Sequence, residues 1–410
     1  MELRPILSTL LRHKTAATLI VLEIALTCAI ICNALFMIGQ RITQVRMPSG
    51  LAEKELVRIQ ITGIGNDPNE VAQTRSDLAM LRGLPGVAAA TVVNQVPYGN
   101  SSWNSGINLD PAQERPTANA TVYMADEQFV DTFGVRIVAG RGFLPDEYID
   151  FSAFNQPDSE ATVPAALITR ALAERLFPGE DPLGKVFYSW GDAPTRVIGV
   201  IEHLVRPNAV GGPEQREYAM VFPIRVPYSL GGNYVLRTSP ERRAEVIEAA
   251  SKALRGNGPT RIILEEGTTT LEELRSRYYR QARSMAWLLG VVCVALLLVT
   301  ALGIVGLASF WVQQRTKQIG IRRALGATRA QILRYFQTEN FLLTTIGIVV
   351  GMLAAYGINQ LLMGRYEMPR LPLYYLPAGA LALWLLGQAA VYGPARRAAA
   401  VPPATATRSV

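Results

Sequence analysis

Cysteine and histidine are almost missing from this chain of 410 residues: three of the first, Cys28, Cys32 and Cys293, and two of the second, His13 and His203. Every cysteine lies inside an apolar run, so no disulfide framework holds the polar part of the chain together. Cys28 and Cys32 share a helix face, where buried thiols serve packing more often than metal binding. Two scattered histidines do not furnish a zinc site. Paired catalytic groups are missing too, because Ser, His and Asp lie scattered, which makes a membrane enzyme a weak reading. Charge is what the four long apolar blocks lack. The net charge of +7 does not indicate nucleic acid, because Lys and Arg gather at the ends of those blocks, the placement that orientation in a membrane requires.

What is present reads as spans around one large polar domain. Residues 1–15 are expected to form an amphipathic membrane-surface helix with Leu3, Ile6, Leu7, Leu10 and Leu11 on one face. The run 16–40 is long enough to cross a bilayer at ~1.5 Å per residue and is read as an uncleaved span. Spans two, three and four are expected at 284–312, 341–364 and 373–393, with a tail over 394–410. Basic clusters before span one, after span two and after span four fall on one side, expected to be cytoplasmic. Both termini then lie in the cytoplasm and 41–283 lies outside, with 365–370 as the other external loop.

Within 41–283 a strand (Leu56 to Gly63), a helix (Asn69 to Arg82) and a strand (Val87 to Val96) are followed much later by the same order. There Tyr234 to Arg237, Glu241 to Arg255 and Arg261 to Leu264 repeat it. Two β-α-β halves with an insertion over about 100–230 predict a split ferredoxin-like unit carrying a β-rich second lobe with a short helix, Thr169 to Leu176. The fold expected is an α-helical membrane protein with four transmembrane helices (1 + 3) and a large α+β periplasmic domain. From about 270 a helical pattern (Leu271, Leu274, Tyr278) continues without a breaker into span two, predicting a rigid stalk. Gly179 to Val186 spells G-x-x-x-x-G-K-V, a near miss for a phosphate loop. Val186 stands where a hydroxyl should reach magnesium, and no strand–loop–helix context surrounds it. Glu23 interrupts span one; an acid there is a functional-site candidate, against which stands pairing with nearby Arg or Lys.

Between spans two and three lies a basic, helical stretch, 315–340. Gly326 breaks its pattern and Thr328 suits the N-cap of a second helix. A basic interfacial anchor is the plain alternative. Its KQIGIRRALGA (317–327), followed by QILRYFQTEN, resembles the cytoplasmic coupling region of MacB/FtsX-type permeases, the mechanotransmission (type VII) ABC membrane subunits. PARRAA at 394–399 with Pro402 and Pro403 is similar to their C-terminal signature. FGVRIVAGRGF (133–143), AERLFPGEDPLGK (173–185) and VIGVIEHL (197–204) are similar to their periplasmic core domain.

The resemblance implies that Gln318, Ile319, Gly320, Ile321, Arg322, Arg323, Ala324, Leu325, Gly326 and Ala327 meet a cytoplasmic ABC ATPase dimer. ATP and magnesium would be bound there and no cofactor in this chain. It further implies a second permease copy or related chain, a periplasmic adaptor, an outer-membrane channel and membrane lipid as partners, in a bacterial inner membrane. Efflux of antimicrobial peptides, macrolide-like drugs or other amphiphiles is the expected function. Signalling to a cell-wall hydrolase or sensor kinase, and lipoprotein release, are the alternatives. Two departures stand out. No ATPase domain precedes span one, so the ATPase is expected as a separate subunit, and Gln318 stands where the family usually has Glu.

Overall fold

Val57, Ile59 and Ile61 alternate along an extended segment, so pairing that segment with neighbours on both edges buries one whole face. The computed structural model, which describes residues 14–65, 67–99, 101–156, 162–208, 212, 215–366 and 370–402, builds the external unit, Arg46–Arg280, around that strand. Its sheet runs Arg261–Ile263, Leu56–Gly63, Asn233–Thr238, Val87–Val93, with every neighbour antiparallel. Helices Glu70–Arg82 and Arg243–Gly256 close the two β-α-β halves. Leu78, Leu81, Val246, Ala250 and Leu254 of these helices share one core with Tyr234 and Leu236. Each fully buried side chain of that size stabilises by about 1.5–3 kcal/mol.

Asp77 rivets the arrangement from the first helix. It accepts from Gln73 Nε2 (3.0 Å), Tyr234 Oη (2.6 Å) and Asn257 Nδ2 (2.9 Å) and pairs with the buried Arg261 guanidinium. The second strand ends at Val93, short of the expected Val96. Asn94 and Gln95 leave the ladder because their side chains bond the next lobe, Asn94 Nδ2 to Val122 O (2.9 Å) and Gln95 Nε2 to the same oxygen (2.7 Å).

The insertion carries a second, mixed sheet in the order Asn104–Ile107, Ala118–Met124, Ala219–Phe222, Ala165–Thr169, Thr195–Ile201, Ile137–Gly140, with Val186–Phe187 also on Thr195–Ile201. Helix Arg170–Leu176 begins one residue later than expected because Thr169 is the last residue of its strand.

The other unit holds four helices long and apolar enough to cross a membrane: Lys14–Arg46, Arg280–Gln314, Arg329–Leu361 and Tyr375–Ala400. The first is the most buried. Gly347 and Gly351 let it approach the third so closely that a Cβ on either would stand 2.6–2.8 Å from Ile24, Ala25 or Cys28 atoms. Thr27 and Thr300 hydroxyls meet at 2.9 Å.

Two expectations change. The stalk is not continuous: helix Leu271–Tyr278 stops, Tyr279 turns, and a new helix starts at Arg280. The last helix does not end before Pro394 but runs through it to Ala400. Pro394 removes one ladder bond, but it is buried and its helix is held from the side. The surface helix expected over 1–15 lies almost wholly outside the described residues, as do 367–369 of the external loop and 403–410 of the tail.

Candidate functional site

Helix Thr316–Ala324 ends at Leu325, and Gly326, at φ +98°, makes the elbow that the sequence places there. Arg329–Tyr366 then starts with a reciprocal cap: Gln331 N donates to Thr328 Oγ1 (3.3 Å) and Thr328 N to Gln331 Oε1 (2.8 Å). The second helix continues into span three without interruption.

The ten residues implied by the resemblance divide into two faces. Ile319 and Gly320 are buried, and Arg323 and Ala327 half-buried. Ile319 packs with Val312, Ile332 and Phe336 on Ala395, Ala398 and Ala399 of the last helix. Arg323 Nη1 donates to the carbonyls of Ala399 (3.2 Å) and Val401 (2.6 Å), satisfying orphan acceptors at that helix's C-terminus. Gln318, Ile321, Arg322, Ala324, Leu325 and Gly326 are exposed, Leu325 at 84% and Ile321 at 47%. The Arg322 guanidinium lies 5.2 Å from the Tyr335 ring. The elbow is therefore a short helix fastened on one side and bare on the other.

At its base sits a pair that sequence reading did not join. Arg315 Nη1 lies 2.9 and 3.0 Å from the two oxygens of Glu339, with both side chains nearly buried. One ends span two and the other lies in the approach to span three, and helical spacing gave no signal that they meet. Trp311 Nε1, Arg315 Nη2, Asn340 Nδ2 and Thr344 Oγ1 nearby are buried without a hydrogen-bond partner among the described residues. Trp311, Glu339 and Asn340 line a cavity of about 10 Å³.

No Arg or Lys pairs with Glu23 among the described residues, and Arg4 and Arg12 on the basic entry side lie outside them. The half-buried Glu23 carboxylate lies over Gly303, where a Cβ would stand 2.6 Å from Oε2. Lys185 of the near-miss phosphate loop pairs with Glu180 and lies over the Phe177 ring, and a two-residue strand follows it. No group of three or more metal-ligating side chains exists among the described residues.

A second concave surface lies in the external unit, a groove of about 470 Å³ floored by Val71, Leu78, Ala79, Val92 and Val226. Arg82 bonds Asp126 (2.9 Å) and Arg75 bonds Asp150 (2.8 Å) across it, so each arginine of helix Glu70–Arg82 holds a carboxylate of the inserted lobe. Burial pushes the Asp126 carboxyl up to about 6, against the opposing pull of the Thr91 hydroxyl (2.5 Å) and Arg82. These partners lie far apart in sequence, and only the folded sheets bring them together.

Residues 15–254 match the MacB-like periplasmic core domain and residues 290–403 the FtsX-like permease C-terminal domain. Over 99% of its length the chain is 25% identical to an uncharacterized ABC transporter permease, YknZ, of Bacillus subtilis, and covers 98% of it. It is 26% identical over 96% of its length to the macrolide export ATP-binding/permease protein MacB of Rhodospirillum rubrum. To the pyoverdine export ATP-binding/permease protein PvdT of Pseudomonas savastanoi it is 26% identical over 91%. It spans only 57% and 56% of those two proteins. With the core-domain match covering more than half of its residues, the chain belongs to the MacB/FtsX-type ABC transporter permeases.

Proposed function

We propose that this chain is the membrane subunit of an ABC exporter whose separate cytoplasmic ATPase pair, holding ATP and magnesium, moves the elbow at Thr316–Ala324. The external domain, facing the periplasm, then works with an adaptor and an outer-membrane channel to expel amphiphiles such as antimicrobial peptides or macrolide-like compounds. The observation that carries this reading is Leu325 with Ile321, bare apolar groups at the tip of a helix whose opposite face is fastened down. Apolar side chains grouped this way at an aqueous surface mark a protein contact.

The basic residues Arg315, Lys317, Arg322 and Arg323 support a cytoplasmic position for the elbow. The apolar stretches of spans two to four carry no row of ionisable groups, which favours work on a substrate already outside the bilayer over a hydrophilic channel through it. The export roles in the names of MacB and PvdT support the substrate class, and the near-full-length match to a protein named a permease supports an ATPase on another chain.

Purification from native membranes in mild detergent should bring down a stoichiometric ATPase. In that complex Leu325→Asp should insert normally while stimulated ATP hydrolysis falls by about tenfold, equivalent to ~1.4 kcal/mol of coupling. Gly326→Pro should act alike, since proline cannot adopt a φ of +98°. Unchanged stimulation in both variants would overturn the assignment.

A further inference from the structure

The chain passes between its two units twice, at 45–46 and at 280–281. Those two points are where the chain itself joins the units. Within the external unit, one cluster holds both.

Glu53 accepts from Arg275 Nη1 (2.7 Å) and from Tyr98 Oη (3.0 Å). Arg275 Nη2 donates to the carbonyl of Met47 (2.6 Å), one residue past the first crossing. Arg216 Nη2 donates to the hydroxyl of Tyr279, one residue before the second, and Arg216 Nη1 lies 3.6 Å from Met47 Sδ. The rings of Tyr98, Tyr278 and Tyr279 contact one another pairwise at centroid separations of 4.9–5.9 Å. The Arg275 guanidinium stands 5.8 and 6.0 Å from the Tyr98 and Tyr279 centroids.

Three features set this cluster apart from ordinary packing. Tyr279 is the residue at which the helix breaks, so the interruption falls where the side chain is gripped. Tyr98 is the single non-glycine residue with positive φ (+65°) among the described residues, a conformation a bulky side chain keeps only when its surroundings impose it. Gly50 is pressed so tightly that a Cβ would stand 2.0 Å from the His203 carbonyl oxygen, which fixes the path of the incoming chain.

We propose that Glu53, Tyr98, Arg216, Arg275 and Tyr279 form a clamp that joins the two crossing points, so that movement of the spans enters the external unit as a rigid shift. Charge-assisted bonds in a half-buried setting resist separation better than apolar contacts, which slide. A flexible joint at Tyr279 would dissipate the motion; the clamp converts the joint into a fixed corner. These are positioning residues, and the inference rests on the ATPase-coupled reading above.

The test is hydrogen exchange of the complete complex in lipid nanodiscs, with and without a non-hydrolysable ATP analogue. In the wild type, nucleotide should change exchange both at 316–327 and in the external strands 56–63 and 219–222. In Arg275→Gln the change at 316–327 should persist while that in the external strands shrinks by about fivefold, the low end of inter-site coupling. Tyr98→Phe, which loses one hydroxyl and keeps the ring, should lower it less and covers the case that Arg275→Gln fails to fold. Nucleotide-dependent exchange in the external strands that is undiminished in a folded variant overturns the clamp. No wild-type change at 316–327 overturns the ATPase reading, and the clamp with it.

Discussion

Two buried arginine–carboxylate pairs, one in each unit, are built to different standards. Asp77 in the external unit accepts from three further side chains besides Arg261, and both members are essentially inaccessible. Arg315–Glu339 in the membrane unit is surrounded by Trp311, Asn340 and Thr344 atoms that have no hydrogen-bond partner among the described residues, beside a small cavity. Each arginine leaves one buried nitrogen unpartnered among the described residues, Arg261 Nε and Arg315 Nη2. The pair with more bonds converging on its carboxylate nonetheless holds one conformation more firmly, whereas the sparser one leaves alternatives at similar free energy. The first pair belongs in a sheet that must not change. The second lies at the base of the elbow proposed to move.

The largest effect that tests this contrast comes from replacing each pair by apolar residues of similar size. Asp77→Leu with Arg261→Met should destabilise the protein by about 3 kcal/mol or more, because Gln73, Tyr234 and Asn257 lose a buried acceptor. Thermal unfolding of the purified chain in detergent measures this. Arg315→Met with Glu339→Leu should change stability by about 1 kcal/mol or less, as apolar replacement of a buried ion pair often does, while nucleotide stimulation drops. Equal stability losses in the two double variants would erase the distinction.

A smaller effect sharpens the comparison within the external unit. Asp126 has its native carboxyl raised to about 6 from an ordinary 3.8. Between those values the native state binds more protons than the unfolded one, so this group's contribution to stability falls as pH rises from about 4 to 6. Asp126→Asn should flatten that part of the stability profile relative to wild type. A profile with the same slope in both would mean that Asp126 is not the titrating group.

Local pattern explains what could be read in advance. Leu56–Gly63 and Glu70–Arg82 carry periods of 2 and 3.6 bounded by turn residues, so their type was visible without a partner. The Gly326 elbow and the Thr328 cap were visible for the same reason. The break at Tyr279 was not, because the apolar spacing from Leu271 onward continues helically and the interruption coincides with a bond from Arg216, distant in sequence. Pro394 misled in the other direction: proline reads as a stop, yet the flanking alanines are buried against the elbow and the helix carries on. Arg315 with Glu339, and Arg82 with Asp126, were each visible only as single charges.

The last helix has a geometric consequence of its own. Its 26 residues measure about 39 Å at 1.5 Å per residue, while the hydrocarbon core of a bilayer is about 30 Å thick. Roughly 9 Å is left over, a pillar of nearly two turns, and Ala395, Ala398 and Ala399 at its head are where Ile319 rests. Small side chains there let the short helix seat close to the pillar's axis. Under the proposed orientation, a surplus at that end would hold the platform clear of the lipid tails, within reach of the proposed ATPase.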